Sequence, residues 1–70
     1  MKRIRDRGGI ALPIVIVNMY AGRDKEAKRR IAEGITRVFE AEKVPRDAVT
    51  VIMNDIQKDN WADAGKLASD

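Results

Sequence analysis

Seventy residues hold one small domain and no second one. A chain of this size buries only about 60% of its unfolded surface, so it needs disulfides, a structural metal or partner subunits. Cysteine and histidine are both absent. That excludes disulfides, Cys-based zinc, haem or iron–sulfur sites, and the commonest metal ligand and catalytic base, and it leaves self-association.

The 14 Lys and Arg against 11 Asp and Glu give a net charge of +3. The whole excess lies in residues 1–12, where Lys2, Arg3, Arg5 and Arg7 face only Asp6. Residues 13–70 are balanced, ten against ten, so they give no reason to expect a nucleic acid or another polyanion as partner. Residues 1–9 (MKRIRDRGG) read as a basic, flexible leader closed by a glycine pair. The apolar run Ile10–Val17 is broken by Pro13, too short to span a bilayer and poorly built for a secretory signal. No membrane partner is expected, and the expected location is the cytoplasm.

Ile14–Tyr20 (IVIVNMY) is β-branched and almost continuously apolar, the pattern of a strand covered on both faces. Asp24 is an N-cap, with Glu26 in the first turn where the helix dipole favours a carboxylate. From there to Lys43 the pattern is helical. Ala27, Ile31, Ile35, Val38 and Phe39 form one apolar stripe, and Lys28, Arg29, Arg30, Glu33, Arg37 and Glu40 mostly take the other face. Lys28-Arg29-Arg30 reads as a solvated helix face, not a nucleic-acid patch. Gly34 either allows a close backbone approach or is tolerated at about 1 kcal/mol against alanine. Val44-Pro45 ends the helix.

Ala48–Ile56 is a second strand. Strand, helix, strand makes a βαβ unit with parallel strands and a right-handed crossover. One helix covers one face of that sheet, so the other, rich in Ile and Val, is expected against another subunit. Residues 57–70, with Trp61 and Gly65, predict a turn or short hairpin. The expected fold is therefore α/β (α+β): a βαβ unit plus a C-terminal hairpin, assembled as an oligomer. No phosphate loop, paired-glycine fingerprint or nucleophile elbow is present.

The segment PIVIVNMYAGRDKEAKRRIAEGITRVFEAEKVPRDAVTVIMND, continued by NWADAGKLAS, resembles the 4-oxalocrotonate tautomerase family. The resemblance rests on an ordered set: Pro13 at a strand start, Arg23 at the strand-to-helix turn, Pro45 before the second strand, and Trp61 with Gly65. It covers residues 13–70 and leaves residues 1–12 outside as a leader. It implies a cofactor-free tautomerase, needing no metal, that moves a proton between positions of an enol, dienol or keto acid.

In that family an amino-terminal proline is the general base. Burial and a nearby cation disfavour its charged form and tune it toward neutral pH. That role falls to Pro13. Arg23 would hold a substrate carboxylate, Trp61 would be part of the apolar wall, and Tyr20 would line the same pocket. Family pockets lie at a subunit interface and short members assemble as trimers of dimers, which implies a homohexamer. Taken without the resemblance, Pro13 is an edge-compatible strand start, Arg23 a solvated loop residue and Trp61 a core or interface aromatic.

Two departures matter. Family members commonly carry a second arginine on the second strand. Thr50 stands there, and its hydroxyl supplies no charge-assisted bond, so the usual dicarboxylate dienol is in question. Arg46 lies nearby in sequence. Pro13 is also internal as written, so its nitrogen is an amide without useful basicity. The family mechanism requires residues 1–12 to be absent, through proteolysis or through initiation at the codon of Leu12. The competing readings are a catalytically silent oligomer of the same fold whose leader blocks the site, and a small DNA-binding module using that leader.

Overall fold

The computed structural model describes residues 12–70; the leader expected over residues 1–12 lies outside it except for Leu12. Strand β1 spans Ile14–Tyr20, helix α1 Lys25–Ala41, and strand β2 Thr50–Ile56. Two short strands follow, β3 at Ala62–Asp63 and β4 at Lys66–Leu67. β1 and β2 pair in parallel from Ile14↔Thr50 to Tyr20↔Ile56, and β3 and β4 form a small antiparallel hairpin. The βαβ unit and the C-terminal hairpin are as the sequence predicts.

Strand alternation sorts the sheet into two faces. Val15, Val17 and Met19 of β1, with Val51 and Met53 of β2, point toward α1 and are the more enclosed set. Met19, 9% exposed, is the only buried apolar side chain among the described residues. The opposite face carries Ile14, Ile16, Asn18 and Tyr20 beside Thr50, Ile52, Asn54 and Ile56. There Ile14 is 63% and Ile16 58% exposed. Asn54 Nδ2 donates to Asn18 Oδ1 at 2.9 Å across the middle of this face.

Helix α1 begins as predicted. The Asp24 carboxylate accepts from the backbone N–H of Ala27 at 2.8 Å and satisfies one of the donors left open at the first turn. Ala27, Ile31, Ile35 and Phe39 form the inward stripe, but Val38 is exposed and leaves it. Lys28 is half-buried because its ammonium reaches Asp55 of β2 at 2.6 Å, tying helix to sheet.

The helix ends at Ala41, two residues before the predicted Lys43. Lys43 takes a left-handed conformation, φ 71°. Its N–H donates to the Glu40 carbonyl at 3.0 Å, and Val44 N–H donates to the Phe39 carbonyl at 3.1 Å. This is a Schellman cap with lysine where glycine usually stands, so the stop has no glycine signal in the sequence. A short 3₁₀ turn, Arg46–Ala48, replaces the start of the predicted second strand. Gly34 has open space: a methyl group there would meet nothing within 4 Å. Of the two explanations for that glycine, the described residues support tolerance, not close approach.

The hairpin turn is Ala64-Gly65, with φ 53° and 80°. Two positive φ values between paired strands are the mark of a type I′ turn, whose twist matches that of the strands.

Two substitutions test the helix ends by thermal unfolding. Asp24→Ala is expected to cost about 1 kcal/mol by removing the cap. Lys43→Gly is expected to add up to about 1 kcal/mol by relieving the left-handed lysine.

Candidate functional site

The two strands run side by side, so their ends define two poles. At the first pole, the Pro13 carbonyl accepts from Thr50 N–H at 3.1 Å, the bond that opens the parallel ladder. Pro13 is partly enclosed, Thr50 is exposed, and Leu12 before them is exposed. Pro13 and Thr50 are therefore direct neighbours, and the hydroxyl side chain stands where the strand pairing starts.

At the second pole, Ala21 N–H donates to the Ile56 carbonyl at 2.9 Å and holds the ends of β1 and β2 together. The turn after β1 carries Gly22, φ 126°, a conformation that suits glycine, followed by the exposed Arg23. After β2 the chain makes a 3₁₀ turn over Lys58–Asn60 and delivers Trp61 against Tyr20. The two rings lie 4.5 Å apart between centroids at 58°, a tilted aromatic pair. Trp61 Nε1 donates to the Asp63 carboxylate at 3.2 Å, which fixes the indole. Lys58 Nζ stands 5.5 Å from the centre of the Tyr20 ring, within cation–π range. The sequence carries only a faint signal for Lys58, a lysine three residues ahead of the lone tryptophan.

Four of the expected site residues thus fall into pairs that meet: Pro13 with Thr50, and Tyr20 with Trp61. Arg23 belongs to the second pole by its place in the chain. The two poles do not meet within one chain. At about 3.3 Å per residue, the strand from Pro13 to Tyr20 covers roughly 23 Å, far beyond the reach of one small substrate.

Arg46 is occupied elsewhere. Its guanidinium donates to Glu40 at 2.9 and 3.0 Å and to Glu33 at 2.8 Å, and Arg37 also donates to Glu33 at 3.0 Å. These bonds pin the 3₁₀ turn to the outer face of α1. They hold both carboxyls below the ordinary glutamate range, with hydrogen bonding from Arg46 the largest cause for each, and raise Arg46. Among the described residues no three His, Cys, Asp or Glu side chains gather as a metal site. No described helix is long and apolar enough to cross a membrane.

The family model for tautomerase enzymes matches residues 13–70. The chain is 37% identical over 60 residues to a 2-hydroxymuconate tautomerase of Bacillus subtilis, covering 84% of this chain and 97% of the relative. Its fold matches a 4-oxalocrotonate tautomerase isozyme from Methylibium petroleiphilum at a TM-score of 0.75 and 33% identity, over 81% of this chain and 94% of that one. A fused 4-OT protein described as an asymmetric trimer shares the fold at a TM-score of 0.78 and 24% identity, over 83% of this chain and 48% of that one.

The Arg46 network should be visible in the pH dependence of stability. The folded carboxyl pKa values are lowered, so the contribution is present above the usual glutamate value near 4.5. It is lost as pH falls below that value. Arg46→Met is expected to lower Tm at pH 7 and to make progressively less difference below about pH 4. High salt should also narrow the gap.

Proposed function

The chain belongs to the tautomerase family, and on that premise we propose that it interconverts enol or dienol keto acids, with Pro13 as the general base when Pro13 is the N-terminal residue. The observation that most supports this is the position of Pro13. The family match begins there, and its carbonyl opens the β1–β2 ladder. A proline amine at that point has a lone pair, and partial enclosure disfavours its charged form. It takes a proton from the enol oxygen or from a carbon of the substrate. The electron pair shifts through the conjugated system, and the prolinium returns the proton to another carbon. No electron is gained or lost, and no cofactor is called for.

Arg23 would bind the substrate carboxylate, drawing electron density toward it. Tyr20 and Trp61 would wall the site and lower the local dielectric. Since one chain holds its two poles roughly 23 Å apart, the site is shared: Pro13 and Thr50 of one copy meet Arg23, Tyr20 and Trp61 of another. The exposed Ile14, Ile16 and Ile52 face supplies the apolar surface for such an assembly. We take the assembly to be a homohexamer, a trimer of dimers, working in the cytoplasm.

A second reading has its own observation. In the sequence Pro13 follows Leu12, so its nitrogen is an amide in the 70-residue chain. A protein that keeps residues 1–12 would be a catalytically silent member of the same fold. The two readings separate cleanly. A chain beginning at Pro13, assayed with phenylenolpyruvate and 2-hydroxymuconate, is expected to turn over at least one of them. The 70-residue chain should be slower by a factor of about 100 or more, the usual value of a positioned base. Equal and negligible rates in both, with normal assembly, would overturn the enzyme reading. Mass spectrometry of protein from its native source shows which form works there.

The assembly has a separate test. Ile16→Asp places a charge in the middle of the exposed apolar face. Light scattering is expected to show a hexamer for the parent chain and smaller, less stable species for this variant. A stable, monodisperse monomer for the parent would overturn the shared site.

A further inference from the structure

We propose that Lys58 is a substrate-binding and specificity-determining residue: with Arg23 it holds a single carboxylate at the Tyr20–Trp61 pole, which makes the site selective for monocarboxylate enol or keto acids. This deepens the tautomerase reading and rests on it.

In a parallel pair both strands end on the same side, and the bond between Ala21 N–H and the Ile56 carbonyl, 2.9 Å, closes that end. The segment after β1 carries Arg23 and the segment after β2 carries Lys58. The two cations therefore reach the same pole by different routes. The ammonium of Lys58 is placed over the Tyr20 ring, 5.5 Å from its centre, and that ring packs on Trp61.

Most neighbouring carboxylates are already committed. Asp24 caps α1, Asp55 pairs with Lys28, and Asp63 accepts from Trp61, so each of the three is held by a partner other than Arg23 and Lys58. Among the described residues, neither Arg23 nor Lys58 has an ion-pair partner. An unpaired ammonium over an aromatic ring, with a guanidinium on the turn at the same strand end, suits an anionic group attached to a flat or apolar body.

The other pole is the complement. Thr50 stands beside Pro13 with an uncharged hydroxyl, next to the exposed Ile14 and Ile16. A second carboxylate at that pole would lose water and find no charge to replace it. Arg23 and Lys58 thus belong to one end of the shared site and an uncharged hydroxyl to the other, and a substrate with one carboxylate and an apolar remainder fits that asymmetry.

Trp61 is the only tryptophan, so its fluorescence reports on this pole directly. Both the 70-residue chain and the chain beginning at Pro13 are titrated with hexanoate and with adipate, which differ by one carboxylate. Hexanoate is expected to change Trp61 emission and to bind at least fivefold more tightly than adipate. Lys58→Met is expected to weaken hexanoate about tenfold at unchanged Tm. Lys58→Arg should keep affinity within about twofold. Lys43→Asn, the same loss of charge near the opposite end, should leave affinity within about twofold.

Unchanged affinity in Lys58→Met, adipate binding as tightly as hexanoate, or no response to either acid in both chains would overturn the proposal. A fall in Tm without a fall in affinity would assign Lys58 to folding and overturn it equally. Binding is read without turnover, so a failure here is distinct from failure of the tautomerase assay.

Discussion

A single helix laid on a two-stranded parallel sheet covers one face and leaves the other to find its own partner. Everything else follows from that shortfall. Val15, Val17, Met19, Val51 and Met53 face α1, yet only Met19 becomes buried. The Ile14–Ile16–Ile52 face remains open. Parallel strands are ordinarily covered on both sides, because their near-continuous apolar sequences leave no polar face for water. The Asn18–Asn54 bond in the middle of this surface is a polar device on an otherwise apolar patch. A paired amide there restricts how another apolar surface can be laid on it without stranding a donor.

The same geometry separates the chemistry. A strand is a rigid spacer, and β1 puts Pro13 at one end and the Tyr20–Trp61 pair at the other. No side-chain rotamer closes a gap of roughly 23 Å. In the proposed assembly, the covering of the open face and the completion of the site are two aspects of one problem, since a second copy would supply both. A small chain without cysteine or histidine has the same need on thermodynamic grounds.

Charge is distributed with more purpose than the balanced total over residues 13–70 suggests. Arg46, which sequence proximity places near Thr50, spends its guanidinium on Glu33 and Glu40 and fastens the turn before β2. Lys28 is spent on Asp55. Lys58 stands over Tyr20, and Arg23 follows β1 at the same end of the strand pair, opposite the uncharged Thr50. The basic leader, which carries the whole net charge, lies outside this arrangement of described residues.

Much of the fold was legible in the chain. β-branched continuity marked β1, the i,i+4 apolar stripe and Asp24 marked α1, and their order implied parallel strands. The ordered set Pro13, Arg23, Trp61 and Gly65 pointed to the family and to candidate site residues. These are local signals: periodicity, capping chemistry and spacing act over a few residues and can be read in one dimension. The end of α1 was not legible, because its left-handed cap uses Lys43 where the usual signal is glycine. The exposure of Val38, the capture of Arg46 by two glutamates and the placing of Lys58 over Tyr20 were not legible either. Each depends on residues brought together by the crossover, and only the tertiary structure decides which side chains then lie within reach. The partition of the candidate site residues between two distant poles belongs there too, since it arises from strand length and register, and from no residue by itself.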